Sequence, residues 1–311
     1  MGLCEFNKLT LLPCRNIEKI PLGARAVITL AFPYLLPGEM YEGLTVSRYA
    51  AVKDYHLVVP SYLEKIAGEL KELFPKEEFA FFSDNSPIPE VTAAVLSGIG
   101  VRGRNGLLIT KKYGSYVFLG EIVTTAPAES VRAELEKRNI EICSGEINQT
   151  QENPVAANSL GINTAKENAG EISRGKIDSE EISHSKISHS KINIGCLDCG
   201  ECISACPAGC IDENGVDSAR CFSFLNQKKG ELSEKTVALI KSTGCVWGCD
   251  ICQKVCPMNK NAHFTEIPEF MTSIINAPYE GMDLSDRAYS FRGRKTIERN
   301  IRALNECENP L

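Results

Sequence analysis

Cys196-Leu197-Asp198-Cys199-Gly200-Glu201-Cys202-Ile203-Ser204-Ala205-Cys206-Pro207 is the stretch that decides the fold. It reads C-x2-C-x2-C-x3-C-P, the spacing with which a short loop wraps a [4Fe–4S] cube. Three of the thiolates can turn toward one cluster, and the fourth, a helical turn further on, faces a second. A second run follows, Cys249-Asp250-Ile251-Cys252-Gln253-Lys254-Val255-Cys256-Pro257, with Cys245 just before it and Cys221 between the two. Two such runs about 50 residues apart predict two cubane clusters with crossed ligation. Paired C-x2-C is also the mark of a zinc ribbon, but zinc gives no reason for the third cysteine in each run or for the C-P endings.

Two four-iron clusters take eight thiolates, and the region also holds Cys210, Cys221 and Cys245 beside the two runs. Crossed ligation gives the first cluster Cys196, Cys199, Cys202 and Cys256. The second then takes Cys206, Cys249, Cys252 and one more. A run in step would want a cysteine at 246, where Val246 stands. Spacing leaves Cys221 and Cys245 both open for that place.

The rest of the composition narrows the class. With 311 residues, 43% hydrophobic and 24% charged, the chain has room for two domains with a sizeable core. No apolar run approaches 18 residues, so no membrane-spanning helix is expected. The segment Met1-Gly2-Leu3-Cys4-Glu5-Phe6-Asn7-Lys8 lacks the basic-then-apolar order of a signal peptide. Fourteen cysteines without an export signal point to metal ligation in a reducing cytoplasm rather than to disulfides. A net charge of −6 gives no global footprint for nucleic acid, though it leaves room for a local basic patch.

Ahead of the cysteines, Ala26-Val27-Ile28-Thr29-Leu30-Ala31-Phe32 reads as a buried strand closed by Pro33. Ser61 and Glu64 are spaced as a capping box, which predicts a helix opening at Pro60 and stopping at Pro75. Its apolar stripe is Leu63, Ile66, Ala67, Leu70 and Phe74. Phe79-Ala80-Phe81-Phe82 is a second strand, and a helix over about 90–97 follows. Leu107-Leu108-Ile109-Thr110 and Tyr116-Val117-Phe118-Leu119 flank Lys-Lys-Tyr-Gly-Ser and look like a hairpin. Strands mixed with helices make the first 140 or so residues an α/β or α+β sandwich. Gly98-Ile99-Gly100-Val101-Arg102-Gly103 matches the dinucleotide fingerprint G-x-G-x-x-G, but a helix precedes it and a strand follows, the reverse of the required order. The glycines instead suggest close approach of the backbone to some other bulky ligand.

From about 144 to 194 the chain turns polar and repetitive, with Ile177, Ile182, Ile187 and Ile192 every five residues. That period suits neither helix nor strand, and a solvated linker is expected, His184 and His189 included. After the clusters, Arg292, Arg294, Lys295, Arg299 and Arg302 line a helix expected to begin near Asp286. Most such runs are solvated faces; the alternative is a phosphate-contacting helix.

Several separated segments together resemble the epoxyqueuosine reductase family, cobalamin-dependent iron–sulfur enzymes of tRNA queuosine synthesis. Arg48-Tyr49-Ala50-Ala51-Val52-Lys53-Asp54-Tyr55-His56 is close to the family's R-Y-A-R-G-R-D-Y-H. Asp84-Asn85-Ser86-Pro87-Ile88-Pro89-Glu90 is similar to D-S-A-P-x-x-E, and residues 98–105 to G-L-G-W-x-G-K-N. Gly114-Ser115-Tyr116-Val117-Phe118-Leu119-Gly120-Glu121 matches G-S-x-x-F-L-G-E. Arg220-Cys221-Phe222-Ser223 resembles R-C-I-S, and residues 248–259 follow the family string nearly throughout. The matches run in order over about residues 25 to 265.

The resemblance implies an α+β fold: a nitroreductase-like cobalamin-binding domain (1–143), the linker (144–194), a ferredoxin-like double [4Fe–4S] domain (195–265) and a C-terminal helical segment (266–311). It places Cys221 on the outlying ligand of the second cluster. It implies cobalamin cradled by Arg48, Asp84, Arg104, Asn105, Leu108 and Ser223, without the Asp-x-His-x-x-Gly motif that ligates cobalt from below. Electrons would come from a donor such as ferredoxin or flavodoxin. Asp84 falls on the proton donor, a role that calls for desolvation and a raised pKa; taken alone, it is a turn-forming Asp. The expected activity is reduction of epoxyqueuosine in tRNA by a cytoplasmic monomer. There are departures. Ala51-Val52-Lys53 replaces Arg-Gly-Arg, Val101 and Arg104 replace Trp and Lys, and of the helical repeats that grip tRNA only residues 291–300 resemble a beginning. Two other readings stay open, a small-molecule reductase like the reductive dehalogenases and a two-cluster electron carrier.

Overall fold

In a computed structural model the described residues are 1–14, 16–143 and 196–306. The apolar, β-branched run becomes β2 (Ala26–Pro33), in which every side chain but Ala31 is buried. β1 (Gly2–Glu5) and β6 (Val117–Thr124) flank it, and β3 (Phe79–Phe82) completes a sheet in the order β1-β2-β6-β3, antiparallel throughout. Alternation along the strands sends Ile28 and Ile122 to one face and Val27 and Val123 to the other. The first face carries α2 (Tyr55–Leu73), the second α3 (Glu90–Leu96), so the sheet is sandwiched between helices. An antiparallel sheet of this order is not a dinucleotide fold, in line with the rejected fingerprint.

Three local expectations are corrected. The helix expected at Pro60 begins at Tyr55, because Asp54 rather than Ser61 caps it: the Asp54 carboxylate accepts the His56 N–H at 3.0 Å, and Ser61 turns back to the Val58 carbonyl at 2.7 Å. Pro60 sits near the start of the helix, where it removes one backbone bond. The expected hairpin over 107–119 does not form; β5 (Leu108–Thr110) pairs with β4 (Gly100–Arg102), while β6 is drawn to the central strand β2. The glycines of 98–103 thus serve a close approach within the chain: a Cβ at Gly100 would overlap the Ile109 carbonyl, and one at Gly103 the Asn105 and Ile109 side chains.

The cysteine-rich half is built of short pieces. α1 (Arg48–Ala51) and α4 (Ala128–Lys137) belong to the first half; α5 (Glu201–Ser204), α6 (Phe222–Gln227), α7 (Glu234–Thr243) and α8 (Ile251–Lys254) surround the thiols. α9 (Pro268–Met271) and α10 (Arg294–Asn305) complete the described chain, so the last helix starts eight residues later than expected. The repeats of 144–194 lie outside the described residues.

The two halves share one hydrophobic core, running from Ile28 and Leu63 through Trp247 to Phe222 and Ile240. Val46 and Trp247 form a parallel bridge, with the Ser47 N–H donating to the Trp247 carbonyl at 2.8 Å and the Val246 N–H to the Thr45 carbonyl at 2.7 Å. Gln253 on α8 donates to the Ser115 carbonyl at 2.9 Å, and Asn259 donates to the Ser115 hydroxyl at 2.8 Å. Gly248, at φ 74, lies so close to Ser47 and Tyr49 that no side chain fits. Residues after the thiols return to the first half: buried Arg287 donates to the Ala51 and Val52 carbonyls and pairs with Asp286.

Candidate redox and proton-transfer site

The thiols fall into two groups. Cys196, Cys199, Cys202 and Cys256 line one cleft with Gly103, Arg104 and Asn105. Burial, then the charges of Cys196, Cys256 and Cys199, raise the Cys202 thiol. Cys206, Cys221, Cys249 and Cys252 form the second group. Burial pushes Cys249 up to about 11, with Cys221 and Cys206 adding to it, and Cys252 up to about 12, with Cys249 and Cys221 adding. Cys210 is wedged beside this group, 3.4 Å from the Cys206 sulfur and hydrogen-bonded to Cys221. Cys245 spends its S–H on the Trp247 and Gly248 carbonyls, at 3.3 and 3.5 Å.

Whether these thiols fit iron–sulfur clusters is a question of donor chemistry. Among the described residues no three Cys, His, Asp or Glu side chains are arranged around a single metal ion. A cubane asks for something else, one thiolate per iron corner with the four ringed more widely, and four thiols line the first cleft together. Thiols held protonated by burial ionise when a cation takes the proton's place.

The other sequence-predicted residues are spread over the two halves. Arg104 pairs with Asp198 and donates to the Glu213 carbonyl at 3.0 Å, bracing the rim of the first thiol cleft. The Asn105 side chain bonds Cys252 and accepts the Leu107 N–H at 3.3 Å. Leu108 is buried in β5, and the Ser223 hydroxyl accepts from Gln227 at 3.0 Å. Arg48 lies over the Tyr41 and Tyr116 rings and donates to the Tyr116 hydroxyl at 2.9 Å.

Asp84 stands in the loop after β3 with φ of 60, followed by Asn85 at 44. Such left-handed backbone suits Asp and Asn in a turn and projects the carboxylate outward. The Asn16 side chain ties the loop down by donating to the Asn85 carbonyl at 3.0 Å. Instead of the desolvated acid expected, Asp84 is 54% exposed and its pKa is lowered, first by the hydrogen bond from His56. His56 is what the sequence reading missed. Its Nδ1–H donates to Asp54 at 2.7 Å and its Nε2–H to Asp84 at 2.9 Å. Two ionised carboxylates only accept, so the ring between them carries both protons. Burial works against the charge, but the hydrogen bonds and charges of Asp54 and Asp84 prevail and hold His56 at about 9. The signal was present in Asp54-Tyr55-His56: a helix cap whose free oxygen can also orient the histidine two residues on. Tyr55 stacks on His56 and on Phe118 at 4.0 and 4.4 Å, and half-exposed Phe291 lies 5.9 Å from the imidazole.

The basic C-terminal helix is largely spent internally. Arg299 donates to the Asn226, Lys228 and Gly230 carbonyls, Arg302 pairs with Glu280, and Arg294 reaches Glu298. No described helix is long and apolar enough to cross a membrane.

Comparison with known proteins bears on both halves. Residues 195–259 match the profile of the 4Fe-4S double cluster binding domain, and residues 15–85 match "Epoxyqueuosine reductase QueG, DUF1730". The epoxyqueuosine reductase of Lactococcus garvieae (strain Lg2) is 26% identical, the alignment covering 89% of this chain and 68% of that one; the Synechocystis sp. enzyme is 29% identical, over 86% and 72%. A crystal structure of epoxyqueuosine reductase with an epoxyqueuosine-modified tRNA-Tyr stem loop superposes with a TM-score of 0.60 at 23% identity, over 91% of this chain and 64% of that one. This chain therefore spans about two thirds of the length of the proteins it matches. Fold and thiols together define an iron–sulfur protein of the double four-iron-cluster class. Within that class the chain is similar to epoxyqueuosine reductases over most of its length.

Proposed function

We propose that this chain is an oxidoreductase that converts epoxyqueuosine to queuosine in tRNA. The observation that carries the reading is one hydrophobic core supporting both two groups of four thiols and a surface histidine held protonated against Asp84. Removing an epoxide oxygen takes two electrons and two protons, breaks both C–O bonds, forms C=C and releases water. The thiol groups supply sites for the electron carriers, Cys196, Cys199, Cys202 and Cys256 for one cluster and Cys206, Cys221, Cys249 and Cys252 for the other. Exposed Cys199 puts the first cluster where a donor such as ferredoxin or flavodoxin can reach it.

The first half is read as a nitroreductase-like cobalamin domain. Both nitrogens of His56 are engaged by carboxylates, so this ring is committed to proton chemistry rather than to holding a cofactor. Arg48, Arg104, Asn105, Leu108 and Ser223 would hold it, with Asp84 and Phe291 on an open face. Bound there, cobalamin would supply a low-potential reductant for C–O cleavage. The chain's own part is acid catalysis. Asp84, ionised at rest, receives the His56 proton and passes it to the departing oxygen, while Asp54 keeps the ring oriented and stabilises the imidazolium left in between turnovers. We further read the protein as a cytoplasmic monomer, the reducing setting that free thiols need.

A second reading, reduction of a small molecule with the same machinery, draws on Arg299 and Arg302 being committed within the fold. Anaerobic reconstitution with iron, sulfide and cobalamin, followed by assay on epoxyqueuosine-containing tRNA, separates them. About eight iron and one cobalt per chain with queuosine formed is the expected result. Full cofactor content with no product turns the reading to a small-molecule reductase, and iron without retained cobalt turns it to an electron carrier.

A further inference from the structure

Behind the Asp84 loop lies a second acidic layer. Glu121 is in the middle of β6, opposite Phe82 of β3 and Thr29 of β2, on the sheet face that carries α3. Its side chain is fully buried, and neither carboxylate oxygen makes a well-formed hydrogen bond, the Ser86 hydroxyl being the one polar group that favours its charge. Glu90 opens α3 above it, one oxygen likewise buried and unpartnered, its carboxylate accepting the backbone N–H of Asp84. The titratable groups facing this layer are Glu90 from α3, Asp84 from the loop, and beyond it Asp54, Tyr55 and His56 at the start of α2. No cation stands among the groups acting on Glu121: burial and then Glu90's charge oppose the anion, and the Ser86 hydroxyl alone favours it. An unpartnered buried carboxylate is costly, and a carboxylic acid in the same place is not.

We propose that Glu121 and Glu90 hold a buried proton that reloads Asp84 after each turnover, a role that rests on the reductive reading of this site. The deoxygenation consumes two protons, and the Asp84–His56 pair stores one in reach of the departing oxygen. The second passes from the Glu90 carboxyl to the Asp84 carboxylate and Glu121 returns a proton to Glu90; between turnovers the store refills in reverse, from solvent to the exposed Asp84 and inward through Glu90 to Glu121. Burial pushes Glu121 well up and, with Asp84's charge, Glu90 up to about 7, so both are protonated where Asp84 is not.

The test reads protonation directly. In the reconstituted full-length protein at about pH 8, infrared spectroscopy without tRNA should show a protonated carboxyl band that shifts in D2O and is lost in Glu121→Gln, a nearly isosteric change checked for folding by unchanged iron content. With tRNA, Glu90→Gln should lower kcat about ten- to a hundredfold, increasingly so toward high pH, with KM unmoved. No such band at pH 8, or a band that survives in Glu121→Gln, overturns the proposal whether or not the wild type turns over. A band that behaves as expected in a protein inactive on tRNA leaves the buried proton standing and removes the reading of the substrate.

Discussion

The inner thiol group and the Asp84 corner handle titratable groups in opposite ways. At Cys249 and Cys252 burial dominates, pushes the thiols to about 11 and 12, and leaves them uncharged until a metal arrives. At Asp84, more than half exposed, a partner dominates, and the carboxylate is ionised because His56 carries the compensating charge. One site is completed from outside the chain, the other from within it. The acid corner is preformed by folding, whereas the inner thiols, as the cluster ligands proposed above, would take up their charge only on metallation.

The sharpest way to break this contrast is to withhold iron. Cys249→Ala should lower iron from about eight to about four per chain, the content of one cubane, and should lower Tm as well, because the group sits in the shared core. Cys199→Ala, on the exposed group, should lose the same iron with a smaller change in Tm; equal Tm losses would contradict the difference in burial. At the other corner, Asp84→Asn should cut kcat by about 10²–10⁴-fold and bring the His56 titration, followed by NMR, down from about 9 with iron content unchanged.

The pH dependence sharpens the comparison further. His56 is raised on folding, so its stabilisation is fully present below the ordinary value of about 6.5 and is lost as pH rises through about 9. Asp84 is lowered, so its share is present above the ordinary value of about 4 and is lost as pH falls through its folded value. The Tm gap between wild type and His56→Gln should therefore be widest at about pH 5–6.5 and close by about pH 10. The smallest contrast is on α10. Arg299→Ala, which strips three carbonyls of their donor, should cost about 1–3 kcal/mol in urea unfolding, against about 0.5 kcal/mol or less for exposed Arg294→Ala.

What was legible in the sequence follows from range. Cysteine spacing is local, so the two runs declared their cluster class and the sheet's central strand declared itself by unbroken apolarity. Pairing decided the rest. Residues 107–119 had the turn chemistry of a hairpin, yet the eight-residue β6 gains more by lying between β2 and β3 than by folding back on three residues of β5. The Asp84–His56 pair joins residues 28 apart through the packing of α2 against β3, and nothing in either neighbourhood alone specifies it. Ser61 and Glu64 offered a plausible cap, but Asp54 offered one seven residues earlier and gained the histidine besides.

The common core of the two halves has a consequence for the life of the protein in a cell. Because Trp247, Phe222 and Ile240 pack into the same apolar mass as the sheet, the two halves are expected to melt together, in one calorimetric transition. Loss of the inner cluster would raise the unfolded fraction of the whole chain, and unfolded chains are what proteases remove. Abundance would then track iron supply without any dedicated sensor, and the enzyme would disappear from an iron-poor cell before it could accumulate in a half-built form.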